Sequence, residues 1–291
     1  MIEVLEPGPL ATIQDYGRRG WAELGVPRSG AFDGAAFLAA NRLVGNDPGT
    51  AGIEITFGGF ALRAENAVTV AFTGAPCPGA PDWNAPVTLP AGTVLRLGRP
   101  DRGLRSYLAA RGGFDVPAVL GSRSTDTLSG LGPAPLRKGD WLGIGDVRGE
   151  PSAVPGSVSA SAAGVLSVLW GPREDWFTAD AQRVLVEHSW TVRSDSDRVG
   201  VRLDGPPLHR SRAGELPSEP TRPGAIQVPA DGRPIIFGPD GPVTGGYPVI
   251  AVVDDIGPAA QLRPGDSFRF TAAPHVTQPT PPRRPAPRPG A

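Results

Sequence analysis

Short apolar runs bounded by glycine or proline recur along this chain, and their lengths and β-branched content predict strands. Ala67–Phe72 and Val94–Leu97 are two such runs, and Leu89-Pro90-Ala91-Gly92-Thr93 between them predicts a turn with Gly92 at positive φ. One stretch has the helical period instead. Asp33 is placed to cap it, Gly34 to Val44 form its body, Phe37, Leu38, Leu43 and Val44 give its buried side, and Gly45 ends it. Between residues 147 and 163 the pattern lapses, and Pro151 to Ser161 is small, polar and uncharged, which predicts a linker or a long surface loop. Strand character resumes at Gly164–Trp170, a second helix is expected from Ala179 to Val186 behind a Thr178 cap, and strands continue to Phe270. From Ala272 onward there is only an extended, proline- and arginine-rich segment, read as a solvated disordered tail.

The two halves end alike. Leu136-Arg137-Lys138-Gly139-Asp140 and Leu262-Arg263-Pro264-Gly265-Asp266 share a Leu-Arg-x-Gly-Asp core, each preceded by Gly-Pro-Ala, at Gly132 and at Gly257. The same turn chemistry at both ends predicts two similar β-rich modules. The expected division is an N-terminal module over 1–150, a linker over 151–163, a C-terminal module over 164–271 and a tail over 272–291.

Composition narrows the function. A net charge of −1 gives no basic field for nucleic acid. No apolar run approaches the length of a membrane span, and the acidic start, Met1-Ile2-Glu3-Val4-Leu5-Glu6, is unlike a signal peptide, so a cytoplasmic location is expected. The 40 Gly and 35 Pro are spread between apolar segments, as many tight turns require. Cys77, the one cysteine, sits in a turn-like run and reads as a small half-buried residue.

Several chemistries lack their signatures. There is no P-loop and no Gly-x-Ser-x-Gly elbow. Lys138, the only lysine, lies in a turn that reads as exposed. His188, His209 and His275 have no metal-ligand spacing, so no metal site is expected. What remains is a polar set suited to proton transfer or oxyanion stabilisation. Asp15, Asp197 and Asp240 are the carboxylates inside polar, glycine-containing runs and are the candidate catalytic groups. Arg18 and Arg198 stand close to two of them, and for Asp197-Arg198 a structural pair is the competing reading.

A series of ordered blocks carries a resemblance. They are Ile13-Gln14-Asp15-Tyr16-Gly17-Arg18, Gly25–Asp33, Ala40–Asn46, Ala110–Phe114, Leu120–Asp126, Ser196–Gly200, Gly224–Pro229 and Thr244-Gly245-Gly246-Tyr247-Pro248. From Ile2 to Phe270 the chain resembles the biotin-dependent carboxyltransferase family, also called allophanate hydrolase subunit 2. The resemblance implies a mainly β fold with a few helices, built as two tandem cyclophilin-like β-barrel modules. Two positions depart from the family pattern: Val243 stands where a threonine is usual and Val199 where methionine is common.

What the resemblance implies about function takes three forms. In the first, the chain is the C subunit of an ATP-dependent 5-oxoprolinase, a hydrolase that opens 5-oxoproline to glutamate together with a B subunit of related fold and a larger A subunit. In the second it is a carboxyltransferase module acting on a urea-like or amide nitrogen, with carboxybiotin brought by a separate protein, since the chain lacks a Met-Lys-Met attachment signal. Gly112, Gly113, Gly245 and Gly246 would then offer N–H groups to an oxyanion, and Asp240 would guide the accepting nitrogen. In the third it resembles a Kip antagonist, a regulatory binding protein. Substrate-binding candidates are Gln14, Arg18, Asn41, Gly112 and Gly113 in the first half, and Arg198, Gln227, Thr244, Gly245, Gly246 and Tyr247 in the second. The Asp15 corner and the Thr244–Tyr247 corner are expected to wall one pocket between the modules.

Overall fold

The computed structural model describes residues 1–151, 164–214 and 216–272. The segment read as a linker, beyond Pro151, and the tail beyond Ala272 lie outside the described residues.

The first half consists of two five-stranded sheets that face one another across a single core. One runs Val94–Arg96, Phe60–Ala64, Ile2–Pro7, Trp141–Ile144, Phe114–Asp115; the other Leu10–Gln14, Gly52–Thr56, Arg105–Ala110, Val68–Gly74, Pro86–Leu89. Their inward residues, among them Ile2, Val4, Ile13, Ile53, Phe60, Phe72 and Leu108, are buried together. The second half is a closed seven-stranded barrel in which Val165–Trp170 pairs parallel with Ser267–Ala272 and antiparallel with Val249–Val253. The mainly β class with few helices is therefore as expected. Ring closure by continuous pairing is seen in the second half, and the first half encloses its core between two sheets.

Helix α1 (Gly34–Leu43) follows its expected start: the Asp33 carboxylate accepts the Ala36 N–H at 3.0 Å. It lies on the outer face of the second sheet, against Ala71, Tyr107 and Ala109. Alternate residues of the same strands, Val70, Phe72, Leu108 and Ala110, face the core. Both faces of Arg105–Ala110 are thus covered, which explains a strand buried throughout. Helix α2 (Ala179–Glu187) is capped by Thr178 as expected and buries Ala181 and Leu185 against the barrel. A short helix α3 (Gly257–Ala260), absent from the sequence reading, packs near α1.

The repeated Leu-Arg-x-Gly-Asp motif is one turn built twice. Leu136 and Leu262 are buried anchors. Asp140 Oδ2 accepts the Arg137 N–H at 2.7 Å, and Asp266 Oδ2 accepts the Arg263 N–H at 2.8 Å. Gly139 (φ 89°) donates to the Val4 carbonyl, and Gly265 (φ 88°) donates to that of Val192, both at 2.8 Å. A Cβ on either glycine meets no atom within 4 Å, so only backbone conformation demands glycine there. Gly139→Ala and Gly265→Ala are each expected to cost about 1–2 kcal/mol. Urea denaturation of the two variants checks this, and equal losses are the expected result.

Candidate functional site

The two halves meet around one buried guanidinium. Arg198, 1% exposed, lies in the loop before strand Gly200–Asp204. Its Nε and Nη2 donate to the two oxygens of Asp240, each at 2.9 Å, while Nη1 donates to Glu54 Oε1 at 2.5 Å in the opposite half. Nη2 also reaches the Gly30 carbonyl at 2.7 Å. Glu54 sits on Gly52–Thr56, in register with Tyr107 on the next strand. Its second oxygen accepts the Phe32 N–H and the Tyr107 hydroxyl, each at 2.9 Å. Arg105 Nε lies 3.4 Å from Glu54 Oε1, and its guanidinium covers the Phe32 ring at 4.3 Å. Phe32 belongs to the first half in sequence but packs in the barrel core.

Charge balance governs the protonation of this cluster. Burial pushes Asp240 up, but the Arg198 charge and bonds, with two donors from Thr127, outweigh it and hold the carboxyl below its ordinary value. Burial pulls Arg198 down, but Glu54 and Asp240 outweigh it and keep the guanidinium well above its ordinary range. For Arg105 burial prevails and the shift is downward.

A second set of bonds shapes the loop from Asp15 to Phe32. Asp15 Oδ1 accepts from Gly17 N–H (2.7 Å), Ser122 Oγ (2.7 Å) and Ser124 Oγ (2.5 Å), and Oδ2 accepts from Arg123 N–H (2.6 Å). The loop doubles back on itself: Arg18 N–H donates to the Arg28 carbonyl at 2.7 Å, and Ala31 N–H to the Asp15 carbonyl at 3.0 Å. Gly17 (φ 80°) permits this approach, since a Cβ there would run into the carbonyls of Arg28 and Ser29. The loop then touches the barrel, with Ser29 N–H on the Pro239 carbonyl at 3.0 Å.

Two adjoining hollows open at this contact. One, about 260 Å³, lies between Arg18, Arg19 and Arg28 of the first half and Arg222, Pro239 and Val243 of the second. The other, about 290 Å³, shares Arg19, Arg28, Pro223 and Pro239 and adds Asp15, Ser29 and Asp255. The Ser29 hydroxyl is buried in that wall and has no hydrogen-bond partner.

Hollows do open between the halves, but the expected pocket, walled jointly by the Asp15 corner and the Thr244–Tyr247 corner, is not formed. Residues 239–243 face the Asp15 loop, whereas Tyr247 is half-exposed, stacks beneath Arg210 at 5.8 Å and lines a separate hollow with Arg193, Arg202 and Arg233. Thr244 and Gly246 are exposed, and Gly245 packs closely on Gln227, whose amide donates to the Tyr247 carbonyl at 2.8 Å.

The carboxylates named as catalytic candidates are committed to backbone N–H groups, to serine and threonine hydroxyls and to arginine. Asp240 is wholly buried with both oxygens bonded, so it cannot touch an accepting nitrogen without breaking the Arg198 contact. Asp15 has four donors. Asp197 is exposed, accepts the N–H groups of Val199 and Gly200 in its own turn, and makes no pair with Arg198. Of the binding candidates, Gln14 is buried and bonded to Thr12 and the Thr125 carbonyl, and Asn41 ties α1 to Thr50 and Asn46. The Gly112 N–H is taken by Asn46 Oδ1 (2.8 Å) and that of Gly113 by the Ala110 carbonyl (2.8 Å), so neither is open to an oxyanion. Arg18 and Arg198 remain at the junction. Glu54, Arg105, Thr127, Ser29, Arg28 and Arg222 are junction residues that the sequence reading does not single out; a lone acid between Ile53 and Ile55 is the signal for Glu54.

Comparison with known proteins defines the class. The family model described as "Carboxyltransferase domain, subdomain A and B" matches residues 24–272, and the chain belongs to this family. It is 38% identical to the 5-oxoprolinase C subunit of Escherichia coli over 93% of this chain and 90% of that protein. With the 5-oxoprolinase C subunit of Haemophilus influenzae the identity is 34%, over 94% and 91% respectively. The crystal structure of the K. lactis urea amidolyase superposes with a TM-score of 0.87 at 32% identity, covering 93% of this chain and 18% of that one.

Arg198→Met leaves Glu54 and Asp240 buried without their shared partner, and a loss of about 3–5 kcal/mol is expected, read as a lowered urea midpoint. Asp240→Asn tests the pH dependence. With its folded-state pKa below the ordinary value of 3.8, Asp240 stabilises fully at neutral pH, and that stabilisation disappears as pH falls from 3.8 through the folded value. The Tm gap between wild type and Asp240→Asn should therefore be large at pH 7 and shrink on acidification below 3.8.

Proposed function

We propose that this chain acts as the C subunit of an ATP-dependent 5-oxoprolinase, a hydrolase complex that opens the 5-oxoproline lactam to glutamate. The observation that carries this reading is the match along nearly the whole of both chains, 38% identity over 93% of this one and 90% of the E. coli protein. The partners on this reading are a B subunit of related fold and a larger A subunit. On this reading the complex uses ATP and works in the cytoplasm, and the absence of a P-loop fits a subunit that does not bind ATP by that means. Among the described residues no helix is long and apolar enough to cross a membrane.

The substrate fits the junction in kind. 5-Oxoproline is a small anion carrying a lactam, and opening it needs hydrogen-bond donors placed at the carbonyl oxygen. The arginine-lined hollow supplies positive charge, and the Ser29 hydroxyl, buried without a partner, lies in a residue of the adjoining wall. Small-molecule sites concentrate where modules meet.

A second reading, transfer of a carboxyl group from carboxybiotin on a separate carrier to a urea-like nitrogen, is favoured by the 0.87 TM-score with urea amidolyase. Co-expression with the two partner proteins separates the readings. Glutamate release from 5-oxoproline and ATP should require this chain. Full release without it would overturn the first reading, and carrier-dependent carboxylation of urea in its place would establish the second.

A further inference from the structure

The smaller hollow at the junction holds positive charge that the described residues leave unmatched. Arg18, Arg19, Arg28 and Arg222 line it, and among the described residues none of the four is in an ion pair. Elsewhere the chain pairs its arginines readily: Arg63, Arg105, Arg173, Arg193 and Arg198 each face a carboxylate.

Arg18 is the unusual member. It is 2% exposed, yet only Nη2 has an acceptor, the Ser124 carbonyl; Nε and Nη1 have none. A buried donor left unmatched is costly, the more so when charged, and such groups in native proteins call for an explanation. Arg28, exposed overall, reports the same crowding: partial desolvation first, and then the Arg19 charge, push its guanidinium below the ordinary value. No carboxylate lines this hollow, and Val26, Pro223, Pro239, Pro242 and Val243 make much of the rest of its wall apolar. Its volume of about 260 Å³ falls below the roughly 300–1,000 Å³ of sites for drug-sized ligands.

We propose that this hollow is a binding site for a small monocarboxylate with an apolar body, Arg18 acting as the buried donor and Arg19, Arg28 and Arg222 as the surrounding charge. A planar carboxylate matches guanidinium donors, and the apolar walls favour a single charge on a hydrocarbon frame over a heavily hydrated phosphate. The class of ligand rests on the arginines; its identity as 5-oxoproline rests on the 5-oxoprolinase reading above.

The test is isothermal titration calorimetry on the full chain, alone and in the assembled complex, with 5-oxoproline, its uncharged counterpart 2-pyrrolidinone, acetate and inorganic phosphate as probes. 5-Oxoproline should bind at least about tenfold more tightly than 2-pyrrolidinone, the worth of one charge-assisted contact, and more tightly than phosphate. Arg18→Gln should reduce that preference. Since Arg18 is buried and its loss can compromise folding, Arg222→Gln and Arg28→Gln, both at exposed positions, serve as the second arm and should weaken 5-oxoproline several-fold while leaving 2-pyrrolidinone unchanged. Equal affinity for the charged and uncharged rings, tighter binding of phosphate, or indifference to all three substitutions overturns the site. An active complex whose KM for 5-oxoproline ignores Arg222→Gln and Arg28→Gln removes this site and leaves the 5-oxoprolinase reading standing. Arginine-dependent acetate binding, in a complex that releases no glutamate, supports the site and removes that reading instead.

Discussion

A single guanidinium, that of Arg198, carries the union of the two halves. Arginine stays protonated at any pH a protein experiences, so once buried it must bring acceptors with it. Here they come from opposite sides: Asp240 from the barrel and Glu54 from the sheet beneath α1. Arg105 completes a quartet of two cations and two carboxylates, neutral as a whole and almost free of solvent. Such a cluster gives little net stability relative to an apolar contact of the same shape, because desolvation consumes most of the Coulomb gain. Its strength lies in selectivity. Any other docking of the halves would strand a buried charge, so the cluster admits one arrangement.

The hollows inherit their shape from that arrangement. The nitrogen of Arg198 that binds Asp240 also binds the Gly30 carbonyl, beside Ser29, whose N–H is fixed to Pro239. Phe32 enters the barrel core two residues later. The front loop is therefore pinned to the barrel at three closely spaced points before α1 begins. On the other flank Gln261 reinforces the same seam, accepting the Leu104 and Arg105 N–H groups and donating to Asp33 at the α1 cap. A loop of many glycines becomes a firm wall by being bonded at its ends, which is how a binding site gains precision without belonging to a strand or helix.

The sequence is most readable where chemistry is local. Asp33 and Thr178 announce their helices because a cap needs only its own next three residues. The paired Leu-Arg-x-Gly-Asp turns are legible because one glycine and one aspartate define them. The roles of Asp15 and Asp240 are not legible, because they depend on partners 109 and 42 residues away, Ser124 and Arg198. A carboxylate in a glycine-rich run looks the same whether it will meet a substrate or a guanidinium. Glu54 is the converse case, an acid hidden in an apolar strand, and only the cover provided by α1 and Phe32 reveals why it is there. Closure of the barrel with Tyr247 facing away from the Asp15 loop likewise depends on register between distant strands, which no short motif records.

One consequence concerns the division of labour. Among the residues lining the arginine-rich hollow there is no carboxylate, histidine or cysteine, and its one threonine, Thr221, donates its hydroxyl to the Pro242 carbonyl. Such a wall can hold and orient an anion but has no group to take a proton or attack a carbonyl. Ring opening at that site would need a base, a nucleophile or an activated phosphate from outside the hollow. The adjoining space, where Ser29 and Asp255 stand, shares Arg19, Arg28, Pro223 and Pro239 with it. On the reading proposed for this chain, recognition of the substrate's charge lies here and the reactive groups are brought to the open side by a partner protein, which makes assembly itself a condition of turnover.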